Sequence, residues 1–129
     1  MKKFLFIGAF FCFLGVLAGV LGSHVFKKLL TQMNSTANFS IATDYMFYHG
    51  FGLMGVGLMK GRSPETPFQF AGWLFVAGSI MFQGNLYLIS VSGIRVFQIL
   101  TPVGGICLMA GWLTLIILTA RIKKEHISL

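Results

Sequence analysis

Four long apolar stretches divide this chain, and short polar or proline-bearing segments separate them. They run from about Phe4 to Gly22, Ala42 to Met59, Phe68 to Ser90 and Ile99 to Ala120. Each approaches the roughly 20 residues that carry a helix across a bilayer. Gly61-Arg62-Ser63-Pro64-Glu65-Thr66-Pro67 reads as a polar turn with two prolines, and Ser92-Gly93-Ile94-Arg95 as a tight connection. Thr101-Pro102 opens the last stretch, where a proline near the first turn costs little. The pattern predicts helices over about 4–24, 40–60, 68–91 and 99–120. The expected fold class is all-α: an integral membrane bundle of four transmembrane helices with short loops, in one transmembrane domain over 1–129. The first stretch is expected to remain an uncleaved helix. Its apolar run outlasts a typical signal-peptide core, and Cys12 lacks a lipobox context.

The longest link, from Phe26 to Ile41, is polar in its middle, and Lys27-Lys28-Leu29-Leu30 is suited to begin a short interfacial helix. Two Asn-x-Ser/Thr triplets in it lie too close to the membrane to carry weight as glycosylation sites.

Composition strengthens the membrane reading. The 129 residues are 56% hydrophobic and 10% charged, with mean hydropathy +0.82, whereas about a quarter of an ordinary soluble domain is charged. The net charge of +7 would suggest nucleic acid in a soluble protein. Here the basic residues cluster at the ends of apolar segments, as orientation charges do, so a nucleic-acid partner is not expected. With the N-terminus in the cytoplasm, Lys2, Lys3, Lys60, Arg62, Arg121, Lys123 and Lys124 fall inside, against Lys27, Lys28 and Arg95 outside. That asymmetry predicts a multi-pass protein of the bacterial inner membrane with both termini cytoplasmic. Cys12 and Cys107 sit within apolar segments without a CxxC or His/Cys cluster, and read as small buried residues.

Small residues are expected to set the packing, chiefly the Gly15/Gly19 pair of a GxxxG motif and Gly104, Gly105 and Gly111 in the last helix. Polar residues fall in the outer half or near the middle of the spans. His24 ends helix one, Asp44, Tyr45 and His49 lie on helix two, Gln83, Asn85 and Tyr87 on helix three, and Thr101 on helix four. Tyr45 and His49 are four apart and share a face, as do Ser79, Gln83 and Tyr87, while Asn85 looks elsewhere. Polar groups in lipid normally face the bundle interior. One reading is hydrogen bonding between helices. The other is a small outer pocket lined by His24, Tyr45, His49, Gln83 and Asn85.

Other chemistries fit poorly. Haem ligation needs histidines facing one another at matched depth, which His24 and His49 do not offer on these boundaries. A channel needs polar groups through the whole thickness, and the inner halves are nearly all apolar. GxSxG, HExxH and paired carboxylates are absent. The expectation is no enzyme, no metal and no cofactor.

The order of several elements resembles a known family. Gly19 to Lys28 (GVLGSHVFKK), Phe39 to Gly50 (FSIATDYMFYHG), Ala71 to Gly93 (AGWLFVAGSIMFQGNLYLISVSG) and Thr101 to Trp112 (TPVGGICLMAGW) are similar, in the same order, to domain-of-unknown-function family 423, the YgdD-like small membrane proteins. By position His24, Tyr45, His49, Tyr87, Thr101, Pro102, Gly104 and Gly105 match its signature elements. The resemblance implies a small bacterial multi-helix membrane protein of a family without an established activity. Two departures stand out: Gln83-Gly84-Asn85 where Ser-Gly-Ser is usual, and Ser23 in place of Ala. The larger amides would fill part of any outer pocket. The leading expectation is a structural or accessory subunit acting through helix–helix contacts in the lipid bilayer, with a membrane-protein partner or as a homo-oligomer. The alternative binds a small ligand or lipid in the outer polar pocket.

Overall fold

A computed structural model of the chain describes residues 1–122. Lys123 and Lys124, used above for orientation, lie outside the described residues. Among the described residues the fold is all-helical. The elements are α1 (Lys2–Ser23), α2 (Lys27–Gln32), α3 (Thr36–Arg62), α4 (Gln69–Ser92) and α5 (Leu100–Arg121).

The ends follow local chemistry. Ser63-Pro64 stops α3, and Pro67 precedes the buried Phe68 that opens α4. Gly93 closes α4 at φ +71°, a left-handed cap that glycine adopts without steric cost. The main difference from expectation is at the start of α3, which begins at Thr36 and not near residue 40. Asn34 makes the reversal at φ +50°. Buried Ser35 then donates its hydroxyl to the Ser90 carbonyl of α4 at 2.7 Å, anchoring the polar segment as helix. The short α2 precedes that reversal, its Thr31 hydroxyl bonded to the Lys27 carbonyl at 2.8 Å.

The four long helices form an antiparallel row in which α1 packs on α3, α3 on α4 and α4 on α5, while α2 touches the first three at one end. Phe4, Leu53, Val56, Phe68, Ala71 and Phe75 are fully buried and form the core. The outside is apolar: Phe6 is 72% exposed, and Phe10, Phe13, Ile80, Ile106, Met109 and Ile116 are also exposed. Surfaces of this kind mark contact with membrane or protein.

Two crossings bring backbone against backbone. A Cβ on Gly8 would lie 2.6 Å from the Gly50 carbonyl oxygen, joining α1 to α3. A Cβ on Gly104 would lie 2.6 Å from the Phe82 backbone nitrogen and 2.9 Å from the Gly78 carbonyl oxygen, joining α5 to α4. The expected packing glycines divide accordingly. Gly104 makes a crossing, Gly15 accommodates the ring of Phe47 and Gly111 that of Phe75. Gly105 has only ordinary contact with Phe82, and Gly19 faces open space. The GxxxG spacing therefore does not form a two-point helix contact within the chain, because Gly19 lies off the face that meets α3.

By length and composition α1, α4 and α5 are candidate membrane spans. The expected fourth, α3, does not meet that standard: its 27 residues include Asn38, Asp44, Tyr45, Tyr48, His49, Lys60 and Arg62. It is one of the two inner helices of the row, packed between α1 and α4.

Candidate functional site

The candidate residues converge on the seam between α3 and α4, with α5 closing one side. His49 is buried and uses both ring nitrogens. The Trp112 indole N–H of α5 donates to His49 Nε2 at 3.1 Å. An indole can only donate, so Nε2 is the acceptor and the proton resides on Nδ1. Nδ1 then donates to the Tyr45 carbonyl, 2.8 Å away. Gln83 of α4, fully buried, donates through Nε2 to the same carbonyl at 3.1 Å and to Ser79 Oγ at 3.0 Å. One neutral network thus joins three helices. Around it Tyr45 stacks on Phe82 with ring centroids 4.7 Å apart, and Phe75 lies 4.8 Å from Trp112.

Other polar residues pair elsewhere. Thr43 Oγ1 donates to the Phe39 carbonyl at 2.9 Å, so the Tyr87 hydroxyl is the donor in their 3.0 Å contact between α3 and α4. Asn85 Nδ2 donates to Thr101 Oγ1 at 2.7 Å, between α4 and α5. Gln83 Oε1, Asn85 Oδ1 and Ser90 Oγ are buried without a hydrogen-bond partner. His24 is exposed at the end of α1, and Asp44 is exposed on α3.

The outer pocket expected from sequence is not assembled as drawn. Tyr45, His49 and Gln83 meet, but Asn85 turns to α5 and His24 stays at the surface. Two grooves exist instead. One, about 470 Å³, is lined by Tyr45, Tyr48, His49 and Phe82 on one side and by Gly105, Leu108, Met109 and Trp112 of α5 on the other. The second, about 480 Å³, lies between α1 and α4 and is almost wholly apolar.

Trp112 and Thr43 were not among the candidates. Nothing in the spacing along the last helix marked Trp112 as the residue that would meet His49. From the observed starts, His49 is 13 residues on from Thr36 and Trp112 is 12 on from Leu100, at nearly the same depth from the same end. Thr43 carried no signal beyond lying on the face of α3 that meets α4. Chemically the network is a clasp. A histidine with both nitrogens engaged offers neither a free base nor a free ligand atom. No group of three or more His, Cys, Asp or Glu able to hold a metal occurs among the described residues.

Apolar helices with an apolar exterior, joined by glycine crossings and an internal polar clasp, define a small helical membrane protein. The family described as "Protein of unknown function (DUF423)" matches residues 18–105. A UPF0382 membrane protein of Staphylococcus haemolyticus is 35% identical over 94% of this chain and 98% of its own length. One of Staphylococcus epidermidis is 34% identical over the same shares of the two chains. The UPF0382 inner membrane protein YgdD of Escherichia coli K12 is 26% identical over 90% of this chain and 88% of its own. No solved structure matches. The chain belongs to this family of membrane proteins of unknown function.

Proposed function

We propose that the protein is a four-span bundle of the bacterial inner membrane, both termini cytoplasmic, acting as a structural or accessory component through its helix faces and not as an enzyme. The observation that carries this reading is His49. Both of its nitrogens are spent on contacts between helices, so the best candidate for acid–base chemistry serves as a tie. The fourth span is α3: its polar groups are turned largely onto neighbouring helices, which relieves the cost of placing them in lipid. The excess of Lys and Arg at the end of the bundle holding the N-terminus supports the orientation. The outward faces of α1 and α5 are apolar and available to a partner helix or a second copy.

Purification in mild detergent followed by mass spectrometry tests the role. A stoichiometric membrane-protein partner or self-assembly, retained in His49→Phe, is the expected result. A lone chain carrying a small molecule that His49→Phe abolishes would overturn it in favour of ligand binding. That second reading rests on the 470 Å³ groove beside Tyr45, Tyr48 and His49. Impermeant cysteine labelling tests the topology: tags at the two termini should react from the same side, and opposite sides would leave three spans.

A further inference from the structure

The groove between α1 and α4 is a consequence of how α1 is held. At the end of the bundle that carries the N-terminus, α1 reaches α4 through Phe4, whose ring fills the space over Gly72 and lies 5.4 Å from the Trp73 ring. Toward the end that carries α2, a groove of about 480 Å³ separates the two helices. Leu14 and Ala18 form one wall, Gly84 and Val91 the other, Met46 of α3 the floor, and Phe26 stands beside the first residue of α2.

Within a membrane this space does not stay empty. Apolar walls give water no partners, and a void forfeits the dispersion contacts of every atom that faces it. Its volume lies in the usual range of small-molecule sites, roughly 300–1,000 Å³. The material at hand is lipid hydrocarbon. Charge decides which lipid. Lys27 and Lys28, both exposed, follow Phe26 directly, and exposed Arg95 links α4 to α5 at the same end, where Asp44 is the one exposed acid among the described residues. Lys and Arg at a membrane surface favour anionic lipids.

We infer that this groove is a binding site for an anionic phospholipid, with one acyl chain between α1 and α4 and the phosphate at Lys27 and Lys28. The inference needs only that the chain resides in a membrane, and is independent of the accessory role.

The test uses the full-length protein, delipidated in detergent and titrated with phosphatidylglycerol or phosphatidylcholine of identical chains, read by native mass spectrometry. The wild type should retain one phosphatidylglycerol, with a preference of about fivefold or more over phosphatidylcholine. Equal retention of the two lipids would overturn the headgroup assignment. Lys27→Gln with Lys28→Gln should remove the preference while retaining the chain. A Cβ on Gly84 meets nothing within 4 Å, so Gly84→Phe places a ring in the groove without displacing a packed neighbour. It should abolish retention of both lipids, and unchanged retention in a variant with wild-type helicity and elution would overturn the site. A phosphatidylglycerol with a photoactivatable acyl chain tests the wild type without any variant. Cross-links should concentrate on Leu14, Ala18 and Met46, and an even spread over the outer face of α5 would overturn the site.

Discussion

Where α5 crosses α4, Gly104 and Gly78 let two backbones touch; where α4 meets α3, Gln83, Tyr45 and His49 stand between them. The α1–α3 seam repeats the first solution through Gly8 and Gly50. Both solutions answer one problem. In lipid, burying an apolar side chain against another helix gains little over burying it in hydrocarbon. Stability then comes either from backbones close enough for dense van der Waals contact, or from polar groups that lipid cannot satisfy. The outer seams rest mainly on the first route, with the Asn85–Thr101 bond added at one end of α4–α5, and the central seam on the second. Residues removed from the outer seams therefore matter less than residues added to them, and the reverse holds at the centre.

Breaking an outer seam should have the largest effect. Gly104→Leu drives a side chain into the Phe82 backbone, which cannot yield as a side-chain tip can. It is expected to cost about 3 kcal/mol or more in denaturant unfolding in detergent. A midpoint near wild type would show that the crossing tolerates separation. At the centre, His49→Leu strands the Trp112 indole N–H and should cost about 1–3 kcal/mol. A double-mutant cycle with Trp112→Phe should then show coupling, and strictly additive losses would remove the clasp. Thr101→Val takes one acceptor from Asn85 and should cost about 0.6 kcal/mol, the average for such contacts in membranes. The smallest effect sharpens the contrast from the other side. Gly19→Ala meets nothing within 4 Å and should leave stability unchanged or raise it by up to about 1 kcal/mol through helix propensity. A loss comparable to Gly104→Leu would place Gly19 in a contact with another chain.

The apolar stretches made the long helices legible, because a run of Phe, Leu, Ile and Gly bounded by Ser63-Pro64 or Ser92-Gly93 leaves few alternatives. The start of α3 was not legible. Asn34 through Asn38 has the composition of a loop, and the contacts that hold it as helix are distant in sequence: Ser35 to the Ser90 carbonyl, 55 residues away, and buried Phe39 against Tyr87. Shared faces could be read from spacing: Tyr45 with His49, and Ser79 with Gln83, do act together. Partners could not, since periodicity names a face but not the helix that meets it. For the same reason the spacing of Gly15 and Gly19 looked like a crossing, while Gly8, Gly50 and Gly78 carried no comparable motif.

The length of α3 has a consequence for the surrounding bilayer. At 1.5 Å per residue its 27 residues extend about 40 Å, against about 33 Å for the 22 residues of α1 or α5. A hydrocarbon layer is about 30 Å thick. As the fourth span proposed above, α3 would set its apolar middle in that layer and carry its polar ends, Thr36 to Asn38 and Lys60 to Arg62, into the headgroup regions. A host bilayer thinner or thicker than that fit would be met by tilt or by local deformation, at a cost that depends on the host. Bilayer thickness would thereby become a variable that the bundle senses through one helix.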